Sequence, residues 1–188
     1  MSQHFTTQTL EPVSSENADV EQKKMLDAAH AALGFVPNMY ANMVNVPGVL
    51  STYLHGYAEF RQRSGFTPVE QEVIFLAISQ HNGCRYCTAA HSMLADKVSG
   101  VPSPVLAAIR TNQPLPDPKL QALYAFTQEL VSTNGKPSQE IGDAFLAAGY
   151  SDILVLQIVL AAAVKTLSNY TNHLCKTELD DKFAGYKI

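Results

Sequence analysis

Two cysteines, a histidine and a glutamate are the residues of this chain whose types and spacing suit redox chemistry. Cys84 and Cys87 are three positions apart, and His91 follows Cys87 by four. On a helix, both spacings bring side chains to the same face. The thiolate is the reactive form of cysteine, and a histidine one turn away can accept or relay the thiol proton. The segment is therefore a candidate thiol–disulfide site.

The residues upstream predict the helical setting of this segment. Asn82-Gly83 interrupts the preceding helix, so Cys84 is expected in the first turn of a new one, where free N–H groups and the helix dipole favour a thiolate. Glu72 lies on the preceding helix among apolar residues. If the two helices fold against each other, this carboxylate is buried. Burial would raise its pKa into a range that suits proton transfer.

A metal site is the main alternative for the same residues. Cys84, Cys87 and His91 are zinc ligands by type, and His81 or His173 could supply a fourth. Structural zinc usually draws on two separated ligand pairs, which favours the redox interpretation. A purely structural thiol pair is the third possibility.

Several other side chains are interpreted first as structural. Cys175 is expected to be inert and partly buried near a helix end. His173 is interpreted as structural first and as a secondary site residue only after that. Tyr40, Tyr53 and Tyr57, which are at helical spacing, predict packing first and a pocket wall second.

Capping residues, prolines and glycines predict an all-α fold. Helices are expected at residues 19–33, 37–45, 47–63, 68–80, 84–98 and 137–148, near 103 and 118, and from 151 onward, with a break near 167–169. No run shows the period-two alternation of a strand. We expect residues 1–17 to form an N-terminal arm and residues 18–188 a single domain.

A faint internal repeat relates segments that are 84 positions apart. Residues 65–67 (Gly-Phe-Thr) correspond to residues 149–151 (Gly-Tyr-Ser), and Cys84 falls on Ser168. Duplication of a helical hairpin and chance reuse of capping signals both explain this pattern. If the repeat is real, only the first copy has kept its thiols.

Composition and charge narrow the class of partner. The 188 residues carry a net charge of -4, and the basic residues are scattered, so neither nucleic acid nor an anionic membrane is an expected partner. The polar N-terminus lacks a secretory signal, which predicts a cytoplasmic location. The most apolar stretch, residues 153–164, is shorter than the roughly 20 residues that span a bilayer and predicts a buried helix.

The pattern Glu72-x11-Cys84-x2-Cys87-x3-His91 resembles the signature of the carboxymuconolactone decarboxylase/alkyl hydroperoxidase D (AhpD)-like family. An apolar helix before the pattern and an asparagine two positions before the first cysteine strengthen the resemblance, which covers roughly residues 35–180. Residues 169–173 and 179–183 resemble the peroxidase-related branch of that family. Tyr86 is a departure, because AhpD has a histidine directly before the second cysteine.

The resemblance implies an AhpD-like helical domain and a dithiol-dependent peroxidase that reduces alkyl hydroperoxides without a cofactor. Cys87 would attack the peroxide, Cys84 would be its disulfide partner, and Glu72 and His91 would form the proton relay. The helix dipole favours Cys84 instead, but the closer histidine favours Cys87, and Cys84 at the helix tip would then meet the reductant. The resemblance further implies a lipoyl- or thioredoxin-type dithiol reductant and a homo-oligomer, either a trimer or a hexamer. Tyr86 and His173 are secondary candidates.

Two other function classes stay open. A true lactone decarboxylase, from the other arm of the family, does not require a cysteine pair, so Cys84 and Cys87 argue against it. A redox-sensing or metal-binding protein would carry these thiols without turnover. Consumption of peroxide with a dithiol reductant would separate it from the enzyme.

Overall fold

The computed structural model describes residues 4–188, and this part of the chain is all-α, as the sequence predicts. No strand occurs within the described residues. The elements, in chain order, are α1 (Val20–Leu33), α2 (Asn38–Met43), α3 (Pro47–Arg63), α4 (Pro68–His81), α5 (Arg85–Lys97), α6 (Ser103–Arg110), α7 (Pro118–Ser132), α8 (Gln139–Ala147), α9 (Asp152–Leu174) and a 3₁₀ helix (Asp181–Tyr186).

The capping signals explain why the predicted boundaries lie close to the observed ones. Asp19 and Thr67 close capping boxes at the starts of α1 and α4, and Asp117 accepts two backbone N–H bonds at the start of α7. Gly34 ends α1 with a left-handed φ of 75°. Ser151 precedes α9 but makes no capping bond there.

Helix α4 is the centre of the fold. Every residue from Glu70 to Ser79 is buried, because α4 packs against α5, α7 and α9. A tight turn through Gly83, with a φ of 68°, leads from α4 to α5. The prediction that Cys84 lies in the first turn of α5 was slightly wrong. Cys84 is the N-terminal capping residue, with an extended backbone, and α5 begins at Arg85.

Helix α9 is continuous, so the predicted break near residues 167–169 was wrong. It contains neither glycine nor proline, and the hydroxyls of Ser168 and Thr171 bond to carbonyls three and four residues earlier inside the helix. The helix has 23 residues, and an 18-residue window within it has a mean hydropathy of 1.6. By length and composition alone this helix could cross a membrane. This was not predicted from the sequence, because only the shorter stretch 153–164 was considered. Its buried face contains the polar residues Lys165 and Asn169.

The described part of the predicted N-terminal arm is docked on the helices. The N–H of Thr7 donates to the carbonyl of Leu174 at 2.9 Å, and the N–H of Val13 donates to the carbonyl of Ala41 at the same distance. The Val13 side chain is buried. Residues 1–3 of the arm lie outside the described residues.

The helix boundaries follow the internal repeat over its first part. Gly65 and Gly149 both have a positive φ, of 80° and 91°. Helices α4 and α9 begin at corresponding positions, Pro68 and Asp152. The two segments then diverge, because α4 ends at His81 whereas α9 continues without interruption.

Candidate active site

The structure brings Glu72 and His91 together from neighbouring helices. Glu72 lies on α4 and His91 on α5, and Oε2 of the carboxylate is 2.8 Å from Nδ1 of the imidazole. Both side chains are almost fully buried. This contact requires α4 and α5 to pack together, which the turn at Gly83 allows.

A third residue, Arg61 on α3, completes this charged group. Its guanidinium lies 2.5 Å from Oε1 of Glu72 and also donates to the hydroxyl of Tyr57 at 2.8 Å. Ser99 donates a further hydrogen bond to Oε1 of Glu72 at 3.2 Å. No local motif links Arg61 to Glu72, so inspection of the sequence missed this ion pair.

The ion pair corrects the expectation of a raised pKa for Glu72. Burial alone would raise this pKa, but the charges and hydrogen bonds of His91 and Arg61 outweigh burial and lower it. Glu72 is therefore ionised near neutral pH. The permanent charge that holds it ionised is that of Arg61.

His91 is poised as a neutral base. Burial, and then the positive charge of Lys165, lower its pKa to about 4. The ionised carboxylate of Glu72 can only accept a hydrogen bond, so Nδ1 of His91 carries the hydrogen. Nε2 is then the free acceptor of the ring. This arrangement suits the removal of a proton from a nearby thiol.

The two thiols of the pair are in different electrostatic environments. Both Cys84 and Cys87 are free and buried. Their mutual hydrogen bond, together with burial, raises the pKa of Cys84. Burial would also raise the pKa of Cys87, but the hydrogen bond from Cys84 and the charge of Lys165 outweigh it, and the pKa is lowered well below its ordinary value. Cys87 is therefore the thiolate of the pair.

An amide from α9 lies against both sulfurs. Nδ2 of Asn172 is 3.3 Å from Sγ of Cys87 and 3.7 Å from Sγ of Cys84. An N–H donor at this position stabilises a thiolate. The sequence pattern around Asn172 resembled the peroxidase-related branch, but nothing in it indicated a contact with the thiols.

Lys165 is the second residue that inspection of the sequence missed. Its side chain is completely buried, and within residues 4–188 its Nζ has no hydrogen-bond partner. The ammonium lies 5.5 Å from the centre of the Phe75 ring. A signal for it did exist, because Lys165 is the only Lys, Arg, Asp or Glu of α9 after Asp152.

A cavity of about 340 Å³ gives access to this chemistry. Cys87, His91 and Lys165 line it, whereas Cys84 does not. Its remaining walls are mostly aromatic and apolar: Leu33, Phe35, Pro37, Met39, Tyr40, Tyr53, Tyr57, Tyr86, Ala90, Met93, Leu94 and Phe183, with Lys182 as a second cation. Tyr40, Tyr53 and Tyr57 were predicted to serve packing first and to form a pocket wall second. All three line the cavity.

Tyr86 is part of the cavity wall. Its hydroxyl donates to the carboxylate of Asp180, and its ring meets that of Phe183 edge to face, with centroids 5.9 Å apart. Burial, and then the hydrogen bond with Asp180, raise its pKa. Tyr86 therefore keeps its proton near neutral pH and fixes the C-terminal segment against α5.

The other sequence candidates lie outside this cavity. His173 and Cys175 are partly buried at the end of α9, and neither lines the cavity. Within residues 4–188, no group of three or more His, Cys, Asp or Glu side chains is placed to hold a metal ion. The structure therefore does not support the alternative in which His81 or His173 joins the cysteines around zinc.

Comparison with known families finds a match over part of the chain. Residues 48–129 match the model of the carboxymuconolactone decarboxylase family. This segment is therefore similar to that family. The matched segment runs from α3 into α7 and contains Glu72, Cys84, Cys87 and His91. Lys165 and Asn172 lie beyond it on α9.

Solved structures share the fold of this chain almost from end to end. An AhpD-core, peroxidase-related protein of uncharacterised function from Ralstonia eutropha is 22% identical, with a TM-score of 0.79 and 93% of each chain covered. A peroxidase-related protein from Silicibacter sp. is 20% identical, with a TM-score of 0.74, covering 97% of this chain and 96% of the other. These similarities confirm the predicted AhpD-like fold.

A third solved structure is a debrominase. A cysteine-to-alanine variant of Bmp8, in complex with 2,3,4-tribromopyrrole, is 16% identical, with a TM-score of 0.78 and 97% of each chain covered. A comparison with curated protein sequences finds no match.

Proposed function

We propose that this protein is a dithiol-dependent peroxidase that reduces organic hydroperoxides through Cys87 and Cys84. The observation that carries this proposal is the asymmetry of the two thiols. Cys87 faces an aromatic cavity beside the neutral His91, and its pKa is lowered, whereas Cys84 lies behind it with a raised pKa. A reactive thiolate with a protonated thiol next to it is the starting state that such a cycle needs.

The proposed cycle has three balanced steps. The Cys87 thiolate attacks the terminal oxygen of the hydroperoxide, the O–O bond breaks, and the alcohol leaves after it takes up one proton. Cys87 retains the hydroxyl as a sulfenic acid. The Cys84 thiol then displaces water to form the Cys84–Cys87 disulfide, and an external dithiol reduces this disulfide by exchange and is itself oxidised.

Each predicted site residue has a role in this cycle. When reduction of the disulfide regenerates Cys87, Nε2 of His91 accepts the released proton and passes it on, so that Cys87 rests as the thiolate. Glu72 orients the ring and stabilises its protonated form. Arg61 keeps Glu72 ionised, and Asn172 donates to the thiolate. Because the cycle is complete with these groups, it requires no cofactor.

The position of Cys84 changes the proposed path of the reductant. Cys84 is only 1% exposed and does not line the cavity, so it is not free at the helix tip as the sequence had suggested. We therefore propose that a lipoyl- or thioredoxin-type dithiol attacks Cys87 through the cavity and that Cys84 leaves as the thiol. A slender lipoyl arm fits such a route better than a folded thioredoxin surface does.

A homo-oligomer and a cytoplasmic location remain part of the proposal. The outer face of α9 exposes apolar side chains, among them Ile153, Leu156, Val159 and Tyr170. An apolar stripe of this kind is typical of helices that pack against a second copy. A trimer and a hexamer are both compatible with it.

Consumption of cumene hydroperoxide is the direct test of the proposed function. Purified protein is reduced, freed of reductant and mixed with one equivalent of the hydroperoxide. Mass spectrometry should show loss of two hydrogens from the Cys84–Cys87 peptide, and dihydrolipoamide should reverse this loss and support turnover. A protein that forms the disulfide once and does not turn over with dithiols would be a redox sensor.

Reductive dehalogenation of a small aromatic is the second candidate function. The structural similarity to a debrominase and the aromatic walls of the cavity support it. The Cys87 thiolate would attack the bromine, the carbon–bromine bond would break, and the ring carbon would take up a proton. The Cys84 thiol would then displace bromide from Cys87 to form the same disulfide. Incubation of the reduced protein with 2,3,4-tribromopyrrole and a dithiol, with bromide release as the readout, separates this activity from peroxide reduction.

A further inference from the structure

Lys165 adds a positive charge to the site. None of the steps of the proposed cycle gives this charge a role. Among the charged side chains there, Arg61 and Glu72 pair with each other, and His91 is neutral near pH 7 because burial holds its pKa at about 4. No carboxylate of residues 4–188 lines the cavity. The ammonium of Lys165 therefore has a single possible counter-charge at the site, the thiolate of Cys87.

Burial makes this charge costly. The Lys165 side chain has no exposed surface and no hydrogen-bond partner within residues 4–188. A buried ammonium without a partner is strongly unfavourable, and buried unsatisfied groups in folded proteins need a specific explanation. A methionine of similar shape would pack against Phe75 and the other apolar neighbours without this cost. Packing therefore does not explain the charge, and we infer that the charge has a function.

The position of Lys165 indicates what that function is. It lines the same cavity as Cys87 and His91, among walls that are mostly aromatic and apolar. When a thiolate attacks a hydroperoxide, the negative charge moves from the sulfur to the leaving oxygen. A cation beside the thiolate, in a site of low dielectric, can stabilise the negative charge on the sulfur and then on the leaving oxygen.

We propose that Lys165 is a catalytic residue that stabilises the alkoxide leaving group and gives it a proton. This role rests on the proposed peroxidase function and deepens it. It also assigns the substrate class: organic hydroperoxides with an apolar body that fills the aromatic cavity and a basic alkoxide leaving group. For such a substrate the departing oxygen needs a proton, which the apolar walls do not supply.

The proton transfers balance over the first step of the cycle. Cys87 starts as the thiolate and attacks the terminal oxygen. The alkoxide leaves with the electron pair of the O–O bond and takes a proton from the ammonium of Lys165. This step converts a thiolate, an ammonium and a hydroperoxide into a sulfenic acid, an amine and an alcohol. The amine recovers its proton later, from the dithiol by way of His91, when reduction of the disulfide regenerates the Cys87 thiolate.

The test compares two peroxides that differ in leaving group. Cumene hydroperoxide releases a basic alkoxide, whereas perbenzoic acid releases a carboxylate that leaves without a proton. Both are aromatic, and both react with the same thiolate, so the ratio of their single-turnover rates cancels any change in the thiolate fraction. Lys165→Met should slow the reaction with cumene hydroperoxide by about 10²-fold and leave that with perbenzoic acid within about tenfold of wild type.

Two further variants make the result decisive. Lys136→Met removes an exposed lysine from the loop after α7 and should leave the rate ratio unchanged. Lys165→Gln keeps a polar end and should change the ratio in the same direction as Lys165→Met, which covers the case in which the methionine variant does not fold. Failure of both Lys165 variants to fold would show that the lysine is structural and would overturn the proposal.

The remaining outcomes separate the Lys165 role from the peroxidase function. If Lys165→Met slows both peroxides equally, the lysine only sets the thiolate fraction, and the proposed role is wrong while the peroxidase stands. If wild-type protein reacts with neither peroxide, the peroxidase function fails, and the role of Lys165 falls with it. A selective loss with cumene hydroperoxide, together with an unchanged ratio in Lys136→Met, is the result that supports the proposal.

Discussion

The carboxylate of Glu72 lies 2.8 Å from Nδ1 of His91, although the two residues are 19 positions apart on different helices. This contact determines which ring nitrogen carries the hydrogen. Nδ1 donates to Glu72, and Nε2 is left to accept a proton from substrate or thiol. The geometry therefore makes Glu72 an orienting anion and His91 the base.

Glu72→Gln tests this division of roles. The glutamine keeps the shape but leaves Arg61 without its counter-charge and no longer fixes the ring of His91. We expect the single-turnover rate with cumene hydroperoxide to fall by about 10²-fold. The free energy of unfolding should fall by about 3–5 kcal/mol, as for other buried pairs that lose one partner.

Glu70→Gln is the matched control for this variant. Glu70 is also a buried carboxylate of α4, but it caps the helix, bonds to Tyr150 and does not line the cavity. Its substitution should lower stability and leave the rate per folded molecule unchanged. Equal rates for Glu72→Gln and wild type would show that Glu72 is only structural.

The lowered pKa of His91 predicts a loss of stability in mild acid. Its pKa is about 4 in the folded protein, against an ordinary value of 6.5. Between these values the unfolded chain binds the proton first. The contribution of His91 to stability is therefore complete above pH 6.5 and should fall by about 1.4 kcal/mol per pH unit as the pH drops toward 4.

Urea unfolding at several pH values measures this slope. In the window from pH 6.5 to 4.5 Glu72 does not contribute to this slope, because its lowered pKa costs stability only below its ordinary value of 4.5. His91→Gln should flatten the slope, and substitution of the exposed His55 by Gln should preserve it. A slope unchanged by His91→Gln would mean that His91 is protonated in the folded protein.

Asn172 should set part of the thiolate stability. Its amide is 3.3 Å from Sγ of Cys87, and a hydrogen bond to a charged group contributes about 1.5–3 kcal/mol. Asn172→Leu should therefore raise the pKa of Cys87 by about one unit or more. The measurement is the pH dependence of alkylation by iodoacetamide. Asn169→Leu, which breaks a bond to Asn82 instead, should leave that pKa unchanged.

The sequence predicted those parts of the fold and site that depend on local signals. Capping residues placed α1 and α4 within one or two positions, because a cap acts through its own few neighbours. Pro47 placed the start of α3 in the same local way. The i, i+3 and i+4 spacings placed Cys87 and His91 on one helix for the same reason. The local interpretation was wrong in α9, where a break was predicted near residues 167–169 and the helix is continuous.

Contacts between distant helices could not be predicted from the sequence. Arg61 reaches Glu72 from α3, and Asn172 and Lys165 reach the thiols and the cavity from α9. The contact with Arg61 helps to keep Glu72 ionised, so that the pKa of Glu72 is lowered and not raised. Burial could be inferred from the apolar neighbours of Glu72, but the direction of the pKa shift depends on which charges pack against it.

Substitution of the two cysteines separates their roles. The cavity reaches Cys87 but not Cys84, and Cys87 has the lowered pKa. Cys87→Ser should abolish peroxide reduction. Cys84→Ser should react once and stop at a sulfenic acid, which dimedone traps on Cys87. Dimedone labelling of Cys84 in the Cys87→Ser protein, with Cys84→Ser inert, would reverse the assignment.

The stability of Lys165 variants gives a last prediction, one that is independent of any substrate. In Cys87→Ser the ammonium of Lys165 loses its only counter-charge at the site, so replacement of Lys165 by methionine should raise the free energy of unfolding by about 1–4 kcal/mol. In the reduced wild-type protein the same replacement also removes a partner of the thiolate, so the gain should be smaller. The difference between the two gains, measured by urea unfolding at pH 7, is the coupling between Lys165 and Cys87. Equal gains in both backgrounds would mean that the lysine and the thiolate do not interact. A loss of several kcal/mol in both would mean that Lys165 is needed for packing, and a role for its charge in the reaction would have to be abandoned.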